Sequence, residues 1–306
     1  MAEPVAFIGL GTMGSALSSH LIQAGYTVTG YDADPARLAE HASRGGAPAA
    51  SPAEAVAEAD LVVTSLPSTE ALWDVLRGDR GLAAQPRNDL LLVETSTLSL
   101  EVKEAARAFL TGHGKAMLDC PMSGTGAQAR RRDVVAYVSG DDQAKGRAGP
   151  LLTAMTRGWY DVGAFGNGTR MKIIANLLVA VHNVAAAEAL VLAERAGLDL
   201  QTVLAAVADG AGTSRMFEVR GPLMAAGNYA GPGMHTRVFA KDLEIIDAFA
   251  RDLDAPTPLF SLAASFYRAA LSQGRDQDDT ACVHAVLGQF APGPDRHHRP
   301  QKETTR

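Results

Sequence analysis

Three stretches of this 306-residue chain carry side chains whose types and spacing suit chemistry. The first, Gly9-Leu10-Gly11-Thr12-Met13-Gly14, has the pattern G-x-G-x-x-G. In such a turn the first glycine permits the tight bend and the second lets a pyrophosphate approach the backbone. The third lets a helix pack closely on a strand, and the unpaired N–H groups at the helix start face the phosphates. Asp32, about 20 residues further on, stands where a carboxylate would accept from a ribose 2′-hydroxyl. The alternative is a purely structural turn, with Asp32 capping a helix. The second stretch, Asp119-Cys120-Pro121-Met122-Ser123-Gly124-Thr125-Gly126-Ala127, sets small residues and two hydroxyls in a loop that can nest a carboxylate on backbone N–H groups. An ordinary turn has the same composition. The third is Lys172 with Asn176, which at this spacing project from one helix face, with Asn183 further along the same stripe. A buried cation and amide need partners; a solvated lysine at a helix start is the plainer reading.

The elements that must hold these residues follow from hydrophobic period. A short apolar run at 5–8 leads into the glycine turn, and Ala16, Leu17, Leu21 and Ile22 then follow helical spacing up to the stop at Gly25. A strand at 27–31 ends beside Asp32, so the glycine motif has the strand and helix it requires on both sides. Asp34-Pro35 is the better candidate for capping the next helix, because proline suits the first helical position. The pattern repeats, with a helix at 53–59, a strand at 61–66, a helix at 70–76 and a strand at 90–93. Such alternation predicts a parallel sheet, in which strand carboxyl ends line the ligand crevice. Leu66 ends one strand and Pro67-Ser68-Thr69 follow it, and Glu94-Thr95-Ser96-Thr97 follow another. They are candidates for nicotinamide and ribose contacts, or for helix caps with Glu101 in support. Further strands are expected at 116–118, and at 134–139 and 159–162, the last two closing the sheet. Arg130-Arg131-Arg132 reads as a solvated face.

From 166 to 198 runs a proline-free segment whose apolar positions (Ile173, Ile174, Leu177, Leu178, Val181, Val184, Leu190, Leu192) predict one buried central helix. Arg170, Lys172, Asn176, His182, Asn183, Glu188 and Glu194 interrupt it before about 18 uninterrupted apolar residues accumulate, which argues against a membrane span. Helices at 201–209, 215–224, 239–253 and 259–272 follow, with breaks at 210–212, 231–233 and 256–258. The tail from Pro292, with His297-His298, is polar and proline-rich and is expected to be disordered. A chain of this length exceeds one core's usual limit of about 250 to 300 residues. The expected division is 1–165, an α/β domain; 166–291, an all-helical domain; and 292–306, the tail.

Composition excludes several classes. A net charge of -6 and a pI near 5.8 oppose a nucleic-acid or anionic-membrane surface, which leaves small molecules as partners. The chain enters an apolar run within a few residues of Met1, leaving no room for a leader, so a cytoplasmic location is expected. Cys120 and Cys282 are far apart, with no Cys-x-x-Cys, so two reduced, buried thiols and no metal site are expected. A serine-hydrolase G-x-S-x-G elbow is missing from the sequence.

Taken in order, Gly9 to Gly14, Glu94-Thr95-Ser96-Thr97, the Asp119 to Thr125 loop, Gly166-Asn167-Gly168 through Lys172 and Asn176, and Lys241-Asp242-Leu243 resemble the β-hydroxyacid dehydrogenase family, the group of 3-hydroxyisobutyrate dehydrogenase and tartronate semialdehyde reductase. The resemblance covers roughly residues 4 to 288. It implies a Rossmann-type N-terminal domain with a parallel-rich sheet, an all-α C-terminal domain joined by a long central helix, and homodimers or homotetramers built through the helical domains. It also implies hydride transfer between NAD, with NADP second, and a short 3-hydroxy acid or the matching semialdehyde. Lys172 maps to the catalytic lysine, Asn176 to its partner, and Ser123, Gly124 and Thr125 to the carboxylate loop. Gly9, Gly11, Thr12, Met13, Gly14, Asp32, Leu66, Pro67, Thr97 and Lys241 map to the cofactor side. Three departures bear on substrate: Thr125 replaces a glycine, Ala175 replaces an asparagine, and Arg132 stands where glycine is common. An alcohol's oxidation needs a base at its oxygen and the reverse reaction needs an acid; one lysine does both only if burial disfavours its ammonium. Rival readings are a cofactor sensor or scaffold without turnover, a 6-phosphogluconate-type enzyme, whose phosphate cluster is missing, and an imine-reducing relative, a group that lacks the lysine.

Overall fold

The computed structural model describes residues 3–78, 80–86, 89–230 and 233–290. Its chain divides into two compact units between Asn176 and Leu177. In the first, β1 (Pro4–Ile8), α1 (Thr12–Gln23), β2 (Thr27–Tyr31), α2 (Pro35–Ser43), β3 (Ala47–Pro48), α3 (Pro52–Ala55), β4 (Leu61–Thr64), α4 (Thr69–Arg77), β5 (Leu91–Glu94), α5 (Leu100–Thr111) and β6 (Ala116–Asp119) alternate. The six strands pair in the order β3-β2-β1-β4-β5-β6, all in parallel. This is the doubly wound order, which places its switch point between β1 and β4. Parallel strands covered on both faces need apolar residues on both. The sequence supplies them: Val5, Phe7, Val63, Leu91 and Val93 pack into one core, and Ala6, Ile8, Val62, Leu90 and Leu92 into another.

Local chemistry sets the helix starts. Asp34 caps α2 by accepting from Ala36 N–H at 2.9 Å, as expected from Asp34-Pro35. Ser51 caps α3, which stops after four residues rather than running over 53–59. The chain must drop from there into β4, and Val56 and Ala59 are buried in that descent.

A second sheet corrects the expected topology. Beyond β6 come β7 (Met122–Ser123), α6 (Gly126–Arg130), β8 (Val135–Val138), α7 (Asp142–Met155) and β9 (Gly158–Asp161). These strands pair as β7-β8-β9 instead of closing the main sheet. Pro121 has no N–H to extend the parallel ladder past β6, and β7 turns back antiparallel to β8. The parallel pairing of β8 and β9 requires a crossover. That crossover is α7, whose helical period is interrupted in the sequence by Gly146, Gly149 and Pro150. Within this region Arg132 is a non-glycine residue at φ 56°, which explains why glycine suits that position. A left-handed side chain is strained by roughly 1–2 kcal/mol. Arg132→Gly is therefore expected to raise stability by about 1 kcal/mol in denaturant titration, net of glycine's entropy. An unchanged or lowered midpoint would contradict this.

Helix α8 (Asn167–Arg195) spans the division between units. After it come α9 (Leu200–Ala208), α10 (Arg215–Ala225), α11 (Thr236–Asp252), α12 (Pro258–Ser272) and α13 (Val283–Phe290), the last not anticipated from sequence. The helix at 166–198 is as expected, but its burial is one-sided: Ile174, Leu178 and Leu192 are 53%, 47% and 71% exposed. Among the described residues it is the one helix long and apolar enough to cross a membrane. It carries a fully buried amide whose N–H groups are held within the protein, however. Asn183 is fully buried and donates to the Tyr267 hydroxyl and the Thr280 carbonyl, each at 2.9 Å. Both cysteines are buried and free, as expected. The expected tail from Pro292, and part of the break at 231–233, lie outside the described residues.

Candidate active site

The glycine turn is built by contacts only glycine permits. Gly9, at φ 91°, donates its N–H to Tyr31 O at 2.8 Å, and a Cβ there would lie 2.3 Å from Ser65 O. A Cβ on Gly14 would lie 1.9 Å from Gly9 O. Gly11 differs: its Cβ position meets only the Arg37 guanidinium, at 3.4 Å. It is the N-cap of α1, with no side-chain cap and no acid in the first turn, where Thr12, Met13 and Gly14 stand. A helix start without a side-chain cap or an acid, met at Gly11 only by a flexible cation, suits a pyrophosphate.

Asp32, at the end of β2, is buried and already engaged. Its Oδ2 accepts from Leu10 N–H at 2.7 Å, and its Oδ1 accepts from Asp34 N–H at 2.9 Å. It therefore ties β2 to the glycine turn, a role the sequence did not indicate, while Oδ1 keeps a further lone pair for a ligand hydroxyl. Arg37 Nη1 lies 3.5 Å from Oδ2. That guanidinium, half-exposed, spans Asp32 and Gly11.

At the carboxyl ends of β4 and β5 some of the hydroxyls cap helices and one does not. Ser68 caps α4, accepting from Ala71 N–H, and Ser99 caps α5, accepting from Val102 N–H. Ser96 instead joins the two loops: its hydroxyl accepts from Leu66 N–H at 2.8 Å, and its own N–H donates to Glu94 Oε1 at 2.9 Å. Leu66 and Thr97 are half-buried around this junction, and Pro67 is exposed.

Beneath it lies a charged group that sequence reasoning missed. Lys103, Glu94 and Asp119 are each 0% exposed. The Lys103 ammonium pairs with Glu94 and donates to Asp119 Oδ1 at 2.8 Å. Burial alone pulls that ammonium's pKa down, yet the two carboxylates outweigh it and hold it well above the usual lysine range. The neighbouring Cys120 thiol is pushed up by burial and by Asp119, which leaves it inert. A signal was present: Lys103, Ala106 and Leu110 share the buried stripe of α5, so a lysine sat at a core position.

Asp119 also receives α8. Thr169 donates its N–H to Oδ2 at 2.7 Å and its hydroxyl to Oδ1 at 2.9 Å. One turn on, Lys172 and Asn176 are 8% and 5% exposed. The solvated alternative for Lys172 is thus set aside. Gly168 has no room for a side chain, since its Cβ would lie 2.6 Å from Asp119 O and 2.7 Å from Tyr137 O.

In the candidate carboxylate loop, Gly124 is at φ 139°. Thr125 N-caps α6 in a capping box with Gln128, and its N–H donates to Gln128 Oε1 at 3.0 Å. A Cβ on the next residue, Gly126, would lie 2.3 Å from Thr12 Cγ2, so this loop packs on the start of α1. Arg130, Arg131 and Arg132 are exposed, as a solvated face. The glycine turn, Asp32, Leu66, the Ser96 junction, Ser123 to Thr125 and the start of α8 therefore follow strand ends of the first unit. Lys241 belongs to the second unit, half-buried on α11 beside buried Asp242.

Known proteins share this arrangement. A family model described as the NAD-binding domain of 6-phosphogluconate dehydrogenase matches residues 4–166. One described as the NAD-binding domain of NADP-dependent 3-hydroxyisobutyrate dehydrogenase matches residues 166–286. The chain is 35% identical to L-threonate dehydrogenase of Cupriavidus necator over 96% of its length and 99% of the relative's. It is 32% identical to NAD-dependent L-serine dehydrogenase of Pseudomonas aeruginosa, over 93% and 98%. The crystal structure of 3-hydroxyisobutyrate dehydrogenase from Salmonella typhimurium superposes with a TM-score of 0.84 at 31% identity, covering 92% of this chain and 99% of that one. With its doubly wound sheet, its glycine turn and a buried lysine and asparagine on one helix, the chain belongs to the β-hydroxyacid dehydrogenase family, the NAD-dependent oxidoreductases to which 3-hydroxyisobutyrate dehydrogenase belongs.

Proposed function

We propose that the chain oxidises the hydroxyl of a short 3-hydroxy acid, or reduces the matching semialdehyde, with Lys172 as general acid/base. The observation that carries this reading is the buried pair Lys172 and Asn176 on a helix whose start is tied to the end of β6. NAD, when bound, supplies the hydride acceptor. Gly9, Gly11, Thr12, Met13 and Gly14 hold its phosphates and Asp32 its ribose, with Leu66, Pro67, Thr97 and Lys241 as further contacts. The Lys172 amine takes the hydroxyl proton in oxidation and returns it in reduction. Asn176 hydrogen-bonds the same oxygen and orients it. Because Gln128 occupies the N–H of Thr125, the substrate carboxylate falls to Ser123 and Gly124, and Thr125 shapes the loop.

L-threonate, L-serine and 3-hydroxyisobutyrate, the compounds for which those relatives are named, each carry a hydroxyl β to a carboxylate, and that is the class proposed here. Two domains at 1–165 and 166–291 and a cytoplasmic location complete the reading. The exposed apolar residues Ile174, Leu178 and Leu192 on α8 support a homodimer or homotetramer.

A panel of short 3-hydroxy acids and their 2-hydroxy isomers, run with NAD and with NADP, tests the reading. Turnover with at least one 3-hydroxy acid is expected, and kcat/KM is expected to be higher with NAD, because the Asp32 carboxylate repels a 2′-phosphate. Arg37 sits where it can receive that phosphate, so Arg37→Ala should lower kcat/KM with NADP further and leave NAD nearly unchanged. Faster turnover with NADP than with NAD, or activity confined to 2-hydroxy acids, would contradict it.

A further inference from the structure

The first turn of any α-helix exposes N–H groups that need acceptors, and a local side chain usually supplies them. Helix α8 begins differently. Gly166, at φ 90°, precedes it and has no side chain to offer. The Gly168 N–H donates to Ser139 Oγ at 3.0 Å, and the Thr169 N–H donates to Asp119 Oδ2 at 2.7 Å. Both acceptors come from distant chain segments, the end of β6 and the residue after β8. The Ser139 hydroxyl lies within reach of the carbonyl and Oδ2 of Asp119, at 3.2 and 3.3 Å. The Thr169 hydroxyl donates to Oδ1 at 2.9 Å, so one carboxylate grips one residue of the helix with both oxygens.

We propose that Asp119 is a positioning residue for Lys172, a cap supplied from β6 that fixes the rotation and axial placement of the first turns of α8. This rests on the reading of Lys172 as the acid/base. The charge arrangement supports it. Glu94 and Asp119 share the single Lys103 ammonium, and the excess negative charge lies at the helix start, where the helix dipole favours an anion. A buried ion cluster adds little net stability compared with apolar packing, because desolvation offsets the attraction. What such a cluster supplies is geometry, and here it is continuous. From Thr169 it runs through Asp119, Lys103 and Glu94 to Ser96, and the Ser96 hydroxyl holds the Leu66 N–H. The loop proposed to meet the cofactor and the turn that presents the amine thus stand on one buried network. Misplacing a reacting group by about 1 Å can lower a rate about 10²-fold.

The test compares Asp119→Asn, Thr169→Val, Thr169→Ser and Lys172→Ala in the full chain. Asp119→Asn keeps an acceptor for Thr169 and leaves Glu94 and Lys103 as a one-to-one pair. Its kcat is expected to fall up to about 10²-fold, with KM for the hydroxy acid and Kd for NAD nearly unchanged. Thr169→Val should fall in the same sense by a smaller factor, and Thr169→Ser, which keeps the hydroxyl, should match the wild type. Thr169→Val changes no charge, so the valine and serine pair decides the matter if Asp119→Asn does not fold. Wild-type kcat in folded Asp119→Asn or Thr169→Val, or a loss of kcat and NAD affinity together in step with melting temperature, would overturn the positioning role. Full activity in Lys172→Ala would instead overturn the reading on which it rests.

Discussion

Replacing Lys172 with alanine is expected to lower turnover by ~10²- to 10⁴-fold, about 3 to 5 kcal/mol of barrier, while NAD binds nearly as tightly as before. The separation follows from where the two functions lie. The proposed phosphate and ribose contacts are on the glycine turn and Asp32, which hold each other through Leu10 N–H. Lys172 lies on α8, whose start is held by Asp119 and Ser139. Removing the amine from that helix leaves both sets of contacts intact. Lys172→Arg should not restore turnover, because a guanidinium keeps its proton at working pH and cannot serve as the base. Asn176→Ala should be milder if orientation is its whole role. Turnover near wild type in folded Lys172→Ala, measured alongside NAD titration, would show that the proton is handled elsewhere.

The glycine turn should separate two kinds of glycine. A Cβ on Gly14 would sit 1.9 Å from Gly9 O, a contact with backbone that no rotamer relieves. Gly14→Ala is expected to destabilise the protein by about 3 kcal/mol, the upper range for forced overpacking, and to abolish NAD binding with the turn. At Gly11 the backbone is at φ −63°, a value alanine adopts, and the nearest atom belongs to the flexible Arg37 side chain at 3.4 Å. Gly11→Ala should change stability by less than about 1 kcal/mol, the difference between glycine and alanine at an N-cap. It should still weaken NAD binding about tenfold or more, because the new methyl occupies the space where a pyrophosphate approaches. Thermal melts and NAD titrations on the two variants check this. Equal melting temperatures, or a Gly11→Ala variant with unaltered NAD affinity, would contradict the division of roles.

What could be read from sequence was whatever local spacing encodes. The G-x-G-x-x-G turn, the strand ending at Asp32, the Asp34 cap and the helix carrying Lys172 and Asn176 each depend on residues a few positions apart, and each was legible. The second sheet was not, since strand partners are chosen across distance and Pro121 ends the ladder of β6 in a way no local pattern announces. Helix α7 was hidden by its glycines and Pro150. The buried group of Glu94, Lys103 and Asp119 was legible only at Lys103, which falls on the apolar stripe of α5; the carboxylates that pair with it end two other elements, and only the fold brings the three together. The one-sided burial of α8 was not legible either, since an apolar period does not say which of the apolar positions the fold covers.

Hydride transfer itself is the most direct test of the account. A 3-hydroxy acid deuterated at the carbon bearing the hydroxyl should be incubated with NAD and the protein, and deuterium at the nicotinamide C4 read by mass spectrometry. The wild-type protein is expected to move the label from that carbon to the cofactor, and Lys172→Ala, with NAD bound, to move almost none. Unlabelled NADH, no transfer with any 3-hydroxy acid, or equal label in both proteins would contradict it.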